Sequence, residues 1–127
     1  MEPSFKFIRV RDVQVPTRAN AGDAGMDFYV PNDLTIEDMI KANSKNSTFI
    51  NITFVQDKAN ITKIILQPHS RISIPSGIRG ILEPEASMLQ ANDKSGVSSK
   101  KKLKVTASII DSPYTGEIHH VVFNTSN

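Results

Sequence analysis

Short runs of β-branched and aromatic residues recur along the chain, and each is bounded by proline, glycine or a polar cluster. Partial alternation of apolar and polar positions within them is typical of strands with one buried face. The runs predict strands at Phe5–Val10, Met26–Val30, Thr48–Val55, Ile61–Leu66, Arg71–Ile74, Ile78–Leu82, Ser87–Gln90, Leu103–Ile110 and Ile118–Phe123. Many short strands with regular turn signals indicate an all-β sandwich or barrel.

One segment departs from this pattern and predicts a short helix. Thr35 and Asp38 have the spacing of a capping box, in which each residue bonds the backbone of the other. The apolar residues that follow share one helical face, so the helix should extend to about Asn43. The next two predicted strands form a hairpin. No residue type in this block suggests chemistry, and Asp33–Lys63 is interpreted as a structural insertion.

Length, charge and composition narrow the classes of function. The 127 residues are expected to form one domain, residues 1–127. The net charge of +2 comes without a basic stripe, so no direct nucleic-acid binding is expected, and the cluster Lys100–Lys104 is interpreted as solvated. The chain has no cysteine, which excludes disulfides and thiolate metal sites. No signal core or membrane-length apolar run occurs, so we expect no membrane association and a cytoplasmic location, or the host cytoplasm if the chain is phage-encoded.

The closing segment carries the most suggestive polar residues. An apolar run from Thr106 ends in Asp111, and a turn with Pro113 and Gly116 follows, with Tyr114 at its centre. Ile118 opens the next run, so the segment is interpreted as a β-hairpin. Asp, Pro and Gly are common in turns for conformational reasons, and the simplest structural interpretation is a solvated loop.

Two other segments combine glycine with groups that handle phosphate, metal or water. Lys94–Gly96 offers a cation, a hydroxyl and an unobstructed backbone N–H, which suits phosphate, although the spacing of a P-loop is absent. Asp27 follows a glycine-rich segment, and Asp111 is similar in placement; either carboxylate could hold Mg²⁺ through water or orient a water molecule. The adjacent His119 and His120 would point to opposite faces of a strand, so they cannot chelate one ion.

In this order, the three segments resemble the signature motifs of the homotrimeric dUTP diphosphatases (dUTPases). Ala24–Phe28 resembles the first motif, Asp93–Val97 the second and Ser108–Glu117 the third. The linking run Ile72–Ile78 is similar to the family's Ile-Pro-Thr-Gly-Ile stretch. The resemblance implies a distorted jelly-roll fold with the one short helix in the insertion, and a homotrimer with its sites at subunit junctions.

The resemblance also implies roles for the third motif. Asp111 would be the catalytic base, orienting and deprotonating the water that attacks the α-phosphorus of dUTP. The backbone around Ser108 and Ile110 would recognise the uracil edge. Tyr114 would pack beneath the deoxyribose and leave no room for a 2′-hydroxyl. The products would be dUMP and pyrophosphate, in a reaction that keeps uracil out of DNA.

The other two motifs would handle the triphosphate. Lys94, Ser95 and Gly96 would bind phosphate, with Ser95 donating to the α-phosphate and stabilising the charge that develops there. Mg²⁺ would gather the phosphate oxygens and improve the leaving group, and Asp27 would contact it through water at most.

The sequence departs from the family pattern in three respects. Lys94 replaces an arginine and loses its bidentate fork, Ser108 replaces a glycine, and the fourth and fifth motifs are not found. We therefore expect a truncated chain with reduced activity. The alternative is a non-catalytic dUTPase-like interaction module whose Asp33–Lys63 insertion contacts a protein partner. A dCTP deaminase ranks lower, because its catalytic glutamate and arginine-bearing motif cannot be placed.

Overall fold

The computed structural model describes residues 2–43, 49–93, 102–106 and 109–127. Within these ranges the chain forms nine strands and one short helix. The elements are β1 (Ser4–Arg9), α1 (Ile36–Ala42), β2 (Ile52–Asp57), β3 (Asn60–Leu66), β4 (Arg71–Pro75), β5 (Ile78–Glu83), β6 (Met88–Gln90), β7 (Leu103–Thr106), β8 (Ile109–Asp111) and β9 (His119–Asn124). The prediction of an all-β fold with one short helix is confirmed. No helix in the described ranges has the length and apolar character needed to cross a membrane.

All strand pairs are antiparallel, and most join elements that are distant in sequence. β1 pairs with β5, β4 with β9, β9 with β7, and β6 with β8, whereas β2 and β3 form a local hairpin. Such crossed, non-local pairing is what a jelly roll requires, and a linear pattern of strands does not specify it.

The closing segment differs from the hairpin that the sequence predicts. The run Leu103–Ile110 is two strands, β7 and β8, which belong to different sheets. β7 pairs with β9, but β8 pairs with β6, so Asp111 lies opposite Met88 rather than opposite β9. The turn after Asp111 therefore connects two sheets instead of capping one hairpin. A tertiary pairing with β6, about twenty residues earlier, outcompetes the local alternative.

Met26–Val30, predicted as a strand, is the second difference. This segment makes only an isolated antiparallel bridge, between Thr17 and Asp27. Val30 is exposed and is followed by buried Pro31, which has no N–H to donate to a ladder. Its good strand residues are therefore not enough to add a strand here.

The helical segment lies at the centre of the core. Thr35 Oγ1 accepts from Asp38 N at 3.1 Å and Asp38 Oδ2 accepts from Thr35 N at 3.0 Å, which confirms the capping box. Leu34 and Met39 are fully buried and cluster with Ile61 and Ile72. Three of these four residues lie in the block that the sequence assigns to an insertion. The block is thus an integral part of this fold.

Candidate functional site

The backbone that carries Asp111 is fixed, while its carboxylate stays exposed. Asp111 ends β8 and its carbonyl accepts from Tyr114 N at 3.0 Å; Ser112 N donates to Ser87 O at 3.0 Å. Because paired strand residues share a face, Asp111 lies on the exposed side of β6–β8 with Met88 and Ile109, which are 53% and 57% exposed. A water molecule can therefore reach the carboxylate from solvent.

Ile110 faces the other way. It pairs with Leu89, and both side chains are half-buried beneath the β6–β8 ribbon. Within the described ranges β8 has β6 as its only strand partner. The backbone groups along its second edge are consequently the kind that an extended or planar polar ligand can pair with.

Tyr114 is held at the middle of the turn and is 46% exposed. Its hydroxyl donates to Glu117 O at 2.5 Å, so the ring folds back over Gly116. A Cβ on Gly116 would lie 2.8 Å from the Tyr114 hydroxyl oxygen and 2.9 Å from its Cζ. Gly116 is thus required for this ring position, which leaves an aromatic surface open at the turn formed by residues 111–117, hereafter the 111–117 turn.

The end of the turn is held by an ion-pair cluster that no sequence pattern predicts. Glu117 accepts from Arg11 Nε at 2.8 Å, from Arg11 Nη2 at 3.2 Å and from Gly77 N at 2.8 Å. Arg11 also contacts Asp38 Oδ2 at 3.2 Å. The side-chain hydrogen bond to Glu117 raises the pKa of Arg11 above its ordinary value. Arg11 lies 106 positions from Glu117 and 27 positions from Asp38 in the sequence, so only the fold brings the three side chains together.

The pKa of Asp38 reflects opposing effects. Burial acts to raise the pKa, but the hydrogen bonds from Thr35 and the charge of Arg11 outweigh it, and the pKa lies below the ordinary value for aspartate. Asp38 therefore carries a negative charge at neutral pH. The cluster is a charged link between α1, the N-terminal segment and the 111–117 turn.

Asp27 occupies a different environment. Its backbone bridges to Thr17, with N–O distances of 2.7 and 3.2 Å, and the residue lines a cavity of about 770 Å³. The walls come largely from residues 26–32 and from β3, β4, β7 and β9, and they are mainly apolar. Neither Asp111 nor Tyr114 is among the described residues that line this cavity. Of the predicted site residues that the structure describes, this cavity therefore includes Asp27 but not Asp111 or Tyr114.

His120 lies against the same cavity and is half-buried. Its ring meets Phe28 edge-on at a centroid distance of 5.3 Å, and its buried Nε2 has no hydrogen-bond partner among the residues that the structure describes. Desolvation by burial, and secondarily the charge of His119, lowers the pKa of His120. The imidazole is therefore neutral at pH 7. In the described ranges no group of three or more His, Asp or Glu side chains could hold a metal ion.

The remaining predicted site residues, Lys94, Ser95, Gly96 and Ser108, lie outside the described residues. Asp93 precedes the first three, and its carboxylate accepts from Val105 N at 2.6 Å. This bond ties the beginning of the second motif to β7.

The chain is similar in sequence to curated deoxyuridine 5′-triphosphate nucleotidohydrolases, although no protein-family model matches it. The protein of Rattus norvegicus is 28% identical over 124 residues, or 97% of this chain and 45% of the relative. That of Fusobacterium nucleatum subsp. nucleatum is 29% identical over 124 residues, or 96% of this chain and 65% of the relative. The chain spans about half the length of the curated relatives it matches.

The fold is similar to that of solved dUTPases. A structure of the dUTPase from phage phi11 of S. aureus aligns with a TM-score of 0.65 at 18% identity, covering 97% of this chain and 61% of that chain. At this identity the likeness concerns the fold alone. It agrees with the open antiparallel sheets described above, and the prediction of a dUTPase-like jelly roll is confirmed.

Proposed function

We propose that the chain belongs to the dUTP nucleotidohydrolase family and that its protein hydrolyses dUTP to dUMP and pyrophosphate, as its similarity in sequence and fold to dUTPases supports. The observation that carries the proposal is the 111–117 turn. It combines a solvent-accessible carboxylate on a hydrogen-bonded backbone with an aromatic ring whose position next to Gly116 leaves no room for a Cβ. The carboxylate can activate water, and the ring can support a sugar beside it.

Asp111 is the proposed general base. A water held by its carboxylate attacks the α-phosphorus, and the carboxylate takes the proton as the bond to the pyrophosphate oxygen breaks. The backbone bonds around Asp111 keep the carboxylate in one place, so little ordering is needed when substrate binds. Tyr114 supports the deoxyribose, and the free edge of β8 near Ile110 recognises the uracil, together with Ser108.

Fixed backbone donors and acceptors suit the discrimination of uracil. A base with the wrong pattern would leave backbone groups unpaired and desolvated, and this costs more than the loss of a methylene contact does. The 2′-hydroxyl of a ribonucleotide would meet the Tyr114 ring, which its hydrogen bond to Glu117 O prevents from swinging away freely.

The triphosphate would be bound by Lys94, Ser95 and Gly96. Mg²⁺ would neutralise the phosphate oxygens and make pyrophosphate a better leaving group. The donor set fits this use, because Mg²⁺ is commonly held by one or two carboxylates with water and substrate phosphates rather than by an all-protein cage. Asp27 would contact it through water at most. The phi11 dUTPase coordinates a structural Mg(II) ion.

A homotrimer with sites at subunit junctions is supported by the apolar residues that the isolated chain exposes. Met88 and Ile109 flank Asp111 on one face, and Ile8 and Ile81 share the outer face of β1–β5. A neighbouring subunit that covers such residues would bring its own groups to the 111–117 turn. Segments that one chain keeps apart, Asp27 and Asp111, could then serve the same or adjacent sites.

The decisive experiment measures dUTP turnover with Mg²⁺ for the natural protein and for Asp111→Asn. Removing the base should lower kcat by about 10²- to 10⁴-fold with little change in KM. Asp57→Asn is the matched control, because Asp57 also ends an exposed strand but lies in the β2–β3 hairpin. Turnover that Asp111→Asn leaves intact would refute the proposed role. Reduced activity of the 127-residue chain by itself stays a prediction that the same assay tests.

The non-catalytic interaction module is the alternative outcome of this experiment. Nucleotide binding without turnover, unchanged in Asp111→Asn, would favour it. The helical block then becomes the first surface to examine for a protein partner, although its buried residues form the core.

A further inference from the structure

We propose that Arg11 and Asp38 are positioning residues for the 111–117 turn, and that α1 controls the nucleotide site through them. The inference rests on the proposed dUTPase function for its consequence, but the contacts themselves do not depend on that function. It assigns a role in the site to a block whose residue types suggest no chemistry.

Glu117 connects the Tyr114 ring to the rest of the fold. The Glu117 carbonyl accepts the Tyr114 hydroxyl bond, while the Glu117 carboxylate is held by Arg11 and by Gly77 N. One residue thus connects the aromatic platform to the β4–β5 turn and to the N-terminal segment. A shift of Glu117 must displace the acceptor that fixes the Tyr114 ring.

The guanidinium of Arg11 binds two carboxylates at once. Nε and Nη2 meet the two Glu117 oxygens, and Nη1 meets Asp38. The guanidinium is planar, so its orientation towards one carboxylate constrains its orientation towards the other. The three side chains are only 16–24% exposed, which makes their contacts less screened than those of a surface pair.

Asp38 is held in place by its position in α1. It is the capping-box acid of α1, and the next residue, Met39, is fully buried in the core. At the other end of the helix Asn43 exchanges two hydrogen bonds with the Ser73 backbone, at 2.8 and 3.0 Å. The position of Asp38 is therefore set by the core, and the Arg11 fork relays that position to Glu117.

A second ion pair on α1 provides the control. Glu37 and Lys41 are 3.4 Å apart and about three-quarters exposed, and among the described residues no hydrogen bond or ion pair joins either side chain to Arg11 or to the turn. Such a pair contributes little to stability. Glu37→Gln therefore removes one charge from the same helical turn as Asp38→Asn without disturbing the cluster.

The test uses two independent readouts on Arg11→Lys, Asp38→Asn and Glu37→Gln. The first is backbone hydrogen exchange at residues 112–117, which needs no nucleotide. The second is the affinity for dUMP and its ratio to the affinity for UMP. Arg11→Lys keeps the charge but loses the fork, so exchange should quicken and dUMP should bind about three- to tenfold more weakly. Asp38→Asn should shift both readouts in the same direction, and Glu37→Gln should shift neither.

A purely structural role would give a different pattern. Ile61→Val weakens the core without touching the cluster, and it should lower the melting temperature while leaving dUMP affinity and exchange in the turn unchanged relative to the rest of the chain. Equal losses of dUMP affinity in Ile61→Val and Arg11→Lys would overturn the proposal. So would unchanged exchange at residues 112–117 in both cluster variants. If the natural protein binds no dUMP, the proposed function fails, and the exchange data alone decide whether the coupling is real.

Discussion

The 111–117 turn and the cavity beside Asp27 hold their polar groups in opposite ways. In the turn, Tyr114 and Glu117 are paired with backbone or charge, and Asp111 faces solvent. In the cavity, His120 lies among mainly apolar walls, and its buried Nε2 has no hydrogen-bond partner among the described residues. Paired and exposed groups are suited to meet a charged substrate, whereas a buried nitrogen without a partner costs stability. The contrast supports the 111–117 turn, rather than the wall around His120, as the place for the proposed chemistry.

The largest expected effect comes from a substitution that disturbs the turn without removing any of its polar groups. Gly116→Ala places a methyl group within 3 Å of the Tyr114 ring, so the ring must move. We expect the affinity for dUMP to fall about 10- to 100-fold and the preference over UMP to shrink. Calorimetric titration with both nucleotides measures this. Gly22→Ala is the control, because no heavy atom lies within 4 Å of its added Cβ, and equal behaviour of the two variants would contradict the assigned role of Gly116.

The burial of His120 predicts that the stability of the protein depends on pH. The pKa of His120 is lowered in the folded state, so the unfolded state binds a proton first as the pH falls through about 6.5. The free energy of unfolding should therefore decrease below that pH, by at most about 1.4 kcal/mol per pH unit, until the lower folded pKa is passed. Denaturant titrations of the wild type and His120→Phe between pH 7.5 and 5 measure the slope, which the substitution should reduce.

His69→Asn is the matched control for that series. His69 is exposed in a turn, and asparagine tolerates its φ of +67°. Its substitution should leave the pH dependence intact. A slope that survives in His120→Phe and disappears in His69→Asn would reverse the assignment.

The smallest effect is expected from a substitution that removes the Tyr114 hydroxyl and keeps the ring. Tyr114→Phe removes the bond to Glu117 O but keeps the aromatic surface. Since the freed carbonyl can bind water at this exposed site, we expect a loss of affinity for dUMP below about fivefold. A loss as large as that of Gly116→Ala would show that the hydroxyl, rather than the ring surface, is the important group.

Local chemistry made several features predictable. The Thr35–Asp38 capping box and the β2–β3 hairpin depend on residues a few positions apart, and both are present. The strands of the hairpin begin and end a few residues from their predicted positions. The reason is that only Lys58 and Ala59 connect β2 to β3, with Lys58 at φ +56°. The exposed placement of Asp111 at a strand end also follows from its sequence neighbours.

The sequence by itself determined most of the elements and the residues that could carry chemistry, since propensity, capping and turn formation depend on near neighbours. Only the tertiary structure decided that β8 pairs with β6, that Met39 is at the core and that Arg11 joins Asp38 to Glu117. These outcomes depend on which distant surfaces are buried together, and the sequence around a charged residue does not indicate its distant partner. The same holds for Asp27 and Asp111, because Asp27 is placed by an isolated bridge to Thr17 and Asp111 by the pairing of β8 with β6.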